Sequence, residues 1–206
     1  MFHDRLDAAG QLAERLAACQ GRQPLVLAIP RGAVPMARRI AERLGGDFDV
    51  VLVHKLCAPT QPELAVGSID EHGWTYIAPF AASAGADAAY LAEEQGRQLQ
   101  TLRRRRALYT PVRAPLAPAG RTVIVVDDGL ATGATMVAAL HTLREQQPAR
   151  LLCAAPVASP EALRKIRPLA DEVVCLLAPP GFQAVGQFYR NFPQIEDEEV
   201  IALLRG

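Results

Sequence analysis

The chain has 206 residues, half of them hydrophobic and 21% charged, which suits one folded domain with a sizeable core and excludes a disordered protein. Lys+Arg and Asp+Glu both number 22, so the formal net charge is zero and gives no electrostatic case for nucleic acid or an anionic membrane as the main partner. Cys19, Cys57, Cys153 and Cys175 lack any metal-ligand spacing, the opening MFHDRLDAAG lacks a signal-peptide core, and no apolar stretch reaches ~18 residues, so a cytoplasmic protein without structural zinc is expected.

In chain order, Leu6, Ala9, Leu12, Ala13 and Leu16 recur at helical spacing, and Gly21 stops them, which predicts a helix over 5–19. The apolar run 24–30 reads as a buried strand, Val34–Leu44 as a helix ended by Gly45-Gly46, and 48–56 as a second strand. Strand, helix and strand in this order make a βαβ unit, so a parallel sheet follows. Cys57–Pro62 reads as loop, and the runs 64–70 and 74–78 read as a hairpin around Glu71–Gly73. Ala86–Tyr109 reads as a long polar helix, with prolines 111, 115 and 118 closing the insert.

The run 122–128 is the most apolar strand. A helix over 135–147, a strand over 150–158, a helix over 160–169, a strand over 172–178 and a short terminal helix follow it. The fold class expected is therefore α/β: a single doubly wound domain over 1–206 with a mainly parallel sheet. A loop, hairpin and helix hood is inserted over 57–118, and an aromatic C-terminal segment covers 179–206.

The chemistry is concentrated in VIVVDDGLATGAT (123–135). The strand delivers Asp127 and Asp128 at its C-terminal end, the edge where open parallel sheets bind ligands. Gly129 and Gly133 permit tight turns, Thr132 and Thr135 bring hydroxyls, and a helix starts with unpaired amides and the positive end of its dipole. Such a turn holds phosphate. Two carboxylates beside it would repel that anion unless they serve another part of the ligand, such as a pair of ribose hydroxyls or a hydrated Mg²⁺. The loop has neither the GK[ST] ending of a P-loop nor G-x-G-x-x-G. The plainer alternative is a well-capped strand-to-helix turn with no ligand.

This segment resembles the signature by which type I phosphoribosyltransferases bind 5-phosphoribosyl 1-diphosphate (PRPP), in the form closest to adenine-type members. The resemblance implies that Asp127 and Asp128 hold the ribose 2′ and 3′ hydroxyls, with Mg²⁺ carried nearby on substrate and water. It implies that Ala131, Thr132, Gly133, Ala134 and Thr135 wrap the 5-phosphate. Members of the family hold pyrophosphate on the loop after the first core strand, where Arg31 and Gly32 stand here. Lys55 closes the second expected strand and suits the same anion as a compact point charge. The loop over 57–69 matches a mobile hood, with Glu63 either steadying positive charge or simply solvated.

Phe182 is the candidate to stack on a base, with Val185 and Gly186 as backbone readers, although the spacing is one residue longer than in hypoxanthine–guanine enzymes. Those enzymes carry an aspartate at the position of Ala131, so their acid/base group is missing and the acceptor stays unidentified. Phe188, Tyr189 and Phe192 read as core or interface residues. The run Arg103–Arg106 points all round a helix, so most of it faces solvent unless it serves a polyanion or a dimer contact. The expected partners are PRPP and a small-molecule nitrogen acceptor, with neither nucleic acid nor membrane, and with room for a homodimer. A non-catalytic PRPP or nucleotide sensor shares the same signature and remains the alternative.

Overall fold

A computed structural model describes residues 1–112 and 114–205, and within them everything but the side chain of Glu63. Five strands, β1 (Leu25–Ala28), β2 (Asp47–Val50), β6 (Thr122–Val126), β7 (Arg150–Val157) and β8 (Glu172–Leu177), form an all-parallel sheet in the order β2-β1-β6-β7-β8. Helices α1 (Arg5–Arg15) and α2 (Val34–Leu44) cover one face, and α4 (Ala134–Glu145) with α5 (Pro160–Ile166) cover the other.

The near-continuous apolar strands follow from burial on both faces. Along β1, Val26 and Ala28 join the cluster with α1 and α2, while Leu25 and Leu27 join the cluster with α4 and α5. In β6, Val123, Ile124, Val125 and Val126 are all 0% exposed. Full burial of each such side chain stabilises by about 1.5–3 kcal/mol before entropy is counted. This strand is the rigid base from which the following loop springs.

The strand order carries a functional consequence. The chain moves outward from β1 to β2 on one side, and from β6 through β7 to β8 on the other. The connections after β1 and β6 therefore part on opposite faces. A crevice opens between the carboxyl ends of these neighbours, the general ligand position in open α/β sheets.

The expected strand over 48–56 is two strands in two sheets. β2 ends at Val50, Val51 and Leu52 turn the chain, and β3 (Val53–Ala58) begins a separate antiparallel sheet with β4 (Gln61–Asp70) and β5 (Thr75–Ile77), ordered β3-β4-β5. The residues either side of the turn are all buried, so no polar residue marks it: Val50 is 3% exposed, Val51 7%, Leu52 2% and Val53 8%.

Two expectations change with it. Lys55 lies inside β3, opposite Ser68 of β4, rather than at the edge of the parallel sheet. The expected loop over 57–62 is the end of a hairpin, with Cys57 opposite Ala65 and Ala58 opposite Gln61. A register irregularity between Cys57 and Ala58 accommodates the strand proline Pro62. Glu63 falls in β4 by backbone, and the role expected of it lies outside the described residues.

Helix α3 (Ala88–Tyr109) backs this small sheet. Of its arginine run, Arg103 and Arg104 are exposed. Arg106 turns inward instead: its Nη2 donates to Glu71 Oε1 at 2.6 Å, and its Nη1 lies 3.9 Å from Asp49 of β2. The amphipathic stem of arginine lets it reach inward from a polar helix and tie the two sheets. Helix α6 (Asp197–Arg205) closes the chain against α2 and α3. No helix among the described residues is long and apolar enough to cross a membrane.

Candidate functional site

The C-terminal end of β6 opens into a cavity of about 160 Å³ lined by Asp127 and by Gly129 through Met136. Its wall is the turn anticipated from sequence, and the turn is braced from behind. Leu130 N donates to Val157 O and Ser159 N to Leu130 O, both at 2.9 Å, and the Ser159 hydroxyl donates to Ala131 O at 2.6 Å. Ser159 also caps α5 by accepting from Ala162 N at 3.0 Å. This serine ties the loop to the next strand-helix unit, a role invisible in the motif itself.

Gly133 precedes α4 with φ 73° and ψ 2°, a left-handed conformation in which a side chain is strained. The helix start has no side-chain cap. Thr132 Oγ1 lies 3.4 Å from Ala134 N, a weak contact. The amides of Thr132, Gly133, Thr135 and Met136 have no acceptor among the described residues. Four unpaired donors at the positive end of a 12-residue helix define an anion cradle.

The two acids beside the cradle are not equivalent. Asp127 lines the cavity, and its Oδ1 accepts from Asp128 N at 2.9 Å. Burial pushes its carboxyl well above the ordinary range, with the Asp128 charge adding to the effect. Asp128 is raised by burial too, and Arg5 works against that shift. Arg5 Nε and Nη2 donate to Asp128 Oδ2 at 3.0 and 2.9 Å. The Asp128 carbonyl accepts the Tyr189 hydroxyl at 2.7 Å.

Gly32 packs against this same carboxylate: a Cβ there would overlap Asp128 Oδ2 and lie 3.3 Å from Arg5 Nη2. The connections after β1 and β6 therefore meet in the crevice predicted by the strand order, and the Pro30–Arg31 peptide within the first of them is cis. Arg31 points to the C-terminal helix, with Nη1 2.8 Å from Glu196 Oε2 and 3.8 Å from Asp197 Oδ2.

The C-terminal segment packs against the loop after β6. Val185 fills the space beside Gly129, where a Cβ would collide with it. Phe182 stacks on Phe188 with centroids 5.5 Å apart. Tyr189 is buried, pairs with Phe2 through a parallel bridge, and belongs to the core as expected. Lys55 belongs to the second sheet, and neither it nor Arg31, Gly32, Asp128, Phe182 or Val185 is among the residues that line the cavity.

Sequence reasoning missed Arg5 and Ser159, and read Tyr189 only as a core or interface residue, although all three hold the loop or its acids. Arg5 sits among charged neighbours at the start of an amphipathic helix and has the appearance of a surface residue. Only its side-chain burial, at 9% exposure, distinguishes it.

Mg²⁺ can be tested against the donor set. No cluster of three or more His, Cys, Asp or Glu among the described residues could cage a metal. Two adjacent acids next to an anion cradle fit an ion brought on substrate phosphates and water, the usual mode for Mg²⁺.

Residues 2–191 match the family described as the phosphoribosyl transferase domain. A Mycobacterium tuberculosis protein, provisionally named a phosphoribosyl transferase, is 42% identical over 205 residues, which is 99% of this chain and 46% of that protein. An adenine phosphoribosyltransferase of Rhodospirillum centenum is 36% identical over 92 residues, covering 42% of this chain and 53% of the relative. The chain thus spans about half the length of the curated relatives it matches. The crystal structure of TT1426 from Thermus thermophilus is 46% identical, with a TM-score of 0.90 over 99% of this chain and 97% of that one.

Proposed function

Because the chain belongs to the phosphoribosyl transferase domain family, we propose that it moves the ribose 5-phosphate group of PRPP to a nitrogen acceptor, releasing pyrophosphate. The observation that carries this reading is the unpaired amide cradle of Thr132–Met136 beside two acids, at the crevice between β1 and β6.

In this reading the cradle anchors the 5-phosphate, with the Thr132 and Thr135 hydroxyls adding donors. Asp127 and Asp128 accept hydrogen bonds from the ribose diol, so the sugar is fixed at both ends. The anomeric carbon then faces the loop after β1, where Arg31 neutralises charge on the departing pyrophosphate. Lys55 joins it only if the antiparallel sheet comes over the crevice. The bond to the acceptor nitrogen forms as the bond to pyrophosphate oxygen breaks. Positioning and electrostatics supply the catalysis, without a covalent intermediate. Mg²⁺, carried on the diphosphate and held through water near Asp127 and Asp128, would offset leaving-group charge.

The acceptor side is formed by the segment around Phe182 and Val185. Ala131 offers no acid/base group, so an acceptor that reacts as the free amine or base anion suits this site best. The test is a pyrophosphate-release screen with purines, pyrimidines and simple amines in the presence of Mg²⁺ and PRPP. Acceptor-dependent release supports transfer. PRPP binding with no release for every acceptor would instead point to a sensor.

A further inference from the structure

We infer that Arg5 is a positioning residue for sugar recognition: it grips the Asp128 carboxylate by one oxygen, Oδ2, and so presents the other, Oδ1, to the ribose diol. The inference rests on the reading of the cradle as a ribose 5-phosphate site.

Arg5 opens α1, whose start is fixed by Asp4, accepting from Asp7 N at 2.9 Å. Its side chain is only 9% exposed, and an arginine so buried is costly unless its donors are used. They are used. Nε and Nη2 converge on Asp128 Oδ2, Nη1 donates to Pro193 O at 2.6 Å, and the guanidinium lies 3.8 Å from the Phe192 ring centroid. The cation is held from three sides and has one geometry left.

The carboxylate is equally confined. Its Oδ2 faces Arg5 and the bare Cα of Gly32, where any side chain would intrude. Its backbone is pinned by the Tyr189 hydroxyl on one side and by Asp127 Oδ1 on the other. Oδ1 of Asp128 accepts no hydrogen bond from another residue among those described. A side-by-side grip on the carboxylate would engage both oxygens, as a bidentate arginine does. Here both donors take the same oxygen, leaving the second as the acceptor.

The test is calorimetric titration of wild type, Arg5→Met and Arg5→Lys with two probes, inorganic phosphate and ribose 5-phosphate. Phosphate engages the cradle alone, whereas ribose 5-phosphate also engages the diol acids. Arg5→Met is expected to weaken ribose 5-phosphate by roughly tenfold or more, the scale of a charge-assisted hydrogen bond, with far less change for phosphate. Arg5→Lys keeps the charge and restores part of the sugar preference. In an Asp128→Asn background, Arg5→Lys should change the preference no further.

Equal weakening of both probes would make Arg5 a structural residue and overturn the inference. So would an unchanged sugar preference in both variants, with wild type still favouring ribose 5-phosphate. Should Arg5→Met not fold, the Arg5→Lys titration and its Asp128→Asn counterpart decide the question alone. A wild type that binds ribose 5-phosphate no better than phosphate would defeat the underlying site reading, and the role of Arg5 with it.

Discussion

Arg31 and Glu196 form an ion pair at 2.8 Å, between the loop after β1 and the start of α6. The cation proposed to meet pyrophosphate already has an internal partner, so the anion must compete with it. Both side chains are partly exposed, and such pairs are worth about 0–1 kcal/mol. Glu196→Gln should therefore tighten pyrophosphate binding modestly, by no more than about fivefold. Weaker binding in calorimetry would contradict competition between Glu196 and pyrophosphate for Arg31.

Gly32 is the second test of the crevice. The family resemblance assigns this glycine to close approach of an anion, yet its missing side chain is filled by Asp128 Oδ2. Gly32→Ala should push Asp128 off Arg5 and cost about tenfold in ribose 5-phosphate affinity, equivalent to about 1.4 kcal/mol. Circular dichroism should show an intact fold. Wild-type affinity in this variant would mean that the Arg5–Asp128 geometry is unimportant for the sugar.

Arg106 makes a prediction about stability rather than binding. It ties α3 to Glu71 and lies near Asp49, with side-chain exposures of 13%, 11% and 3% respectively. Arg106→Met would leave the largely buried Glu71 carboxylate without its hydrogen-bonded cation, and breaking such a pair typically costs about 3–5 kcal/mol. Denaturant unfolding should register that loss, whereas Arg103→Met on the exposed side should stay within about 0.5 kcal/mol. Equal effects would contradict the inward role of Arg106.

His141 of α4 stacks on Tyr76 with centroids 4.3 Å apart and on Trp74 at 6.2 Å, joining the antiparallel sheet to the cradle helix. Burial holds its imidazole below the ordinary range, partly opposed by Glu145. The unfolded chain therefore takes up this proton more readily than the folded one. The stacking contribution is complete above the unfolded value of about 6.5 and is lost as pH falls through it toward the folded value. Unfolding free energies at pH 7.5 and 5.5 should fall more steeply on acidification in wild type than in His141→Phe. Identical slopes would show that His141 titrates alike in the folded and unfolded chain, against the shift that its burial implies.

The cradle was legible in sequence because every signal is local. An apolar strand, two acids, two glycines and two threonines fall within one strand-to-helix turn, and backbone rules alone place them at a sheet edge. The alternating β and α units were legible for the same reason. The split between β2 and β3 was not, since Val50 through Val53 are buried on both sides of it and an apolar run carries no mark of which sheet it enters. That misreading moved Lys55 away from its expected edge.

Long-range contacts were likewise hidden. Arg5 and Asp128 are 123 residues apart, and Arg106 and Glu71 are 35 apart. An arginine on a polar stretch of helix reads as solvated until the tertiary fold supplies its partner.

The central claim is that the turn after β6 holds a phosphorylated ribose by its phosphate and its diol together. Calorimetry of Mg²⁺–PRPP with wild type and with Asp127→Asn plus Asp128→Asn tests it most directly. Saturable one-to-one binding is predicted for wild type, with a loss of at least roughly tenfold in the folded double variant. Equal affinity in both proteins, or no binding by well-folded wild type, would contradict the claim.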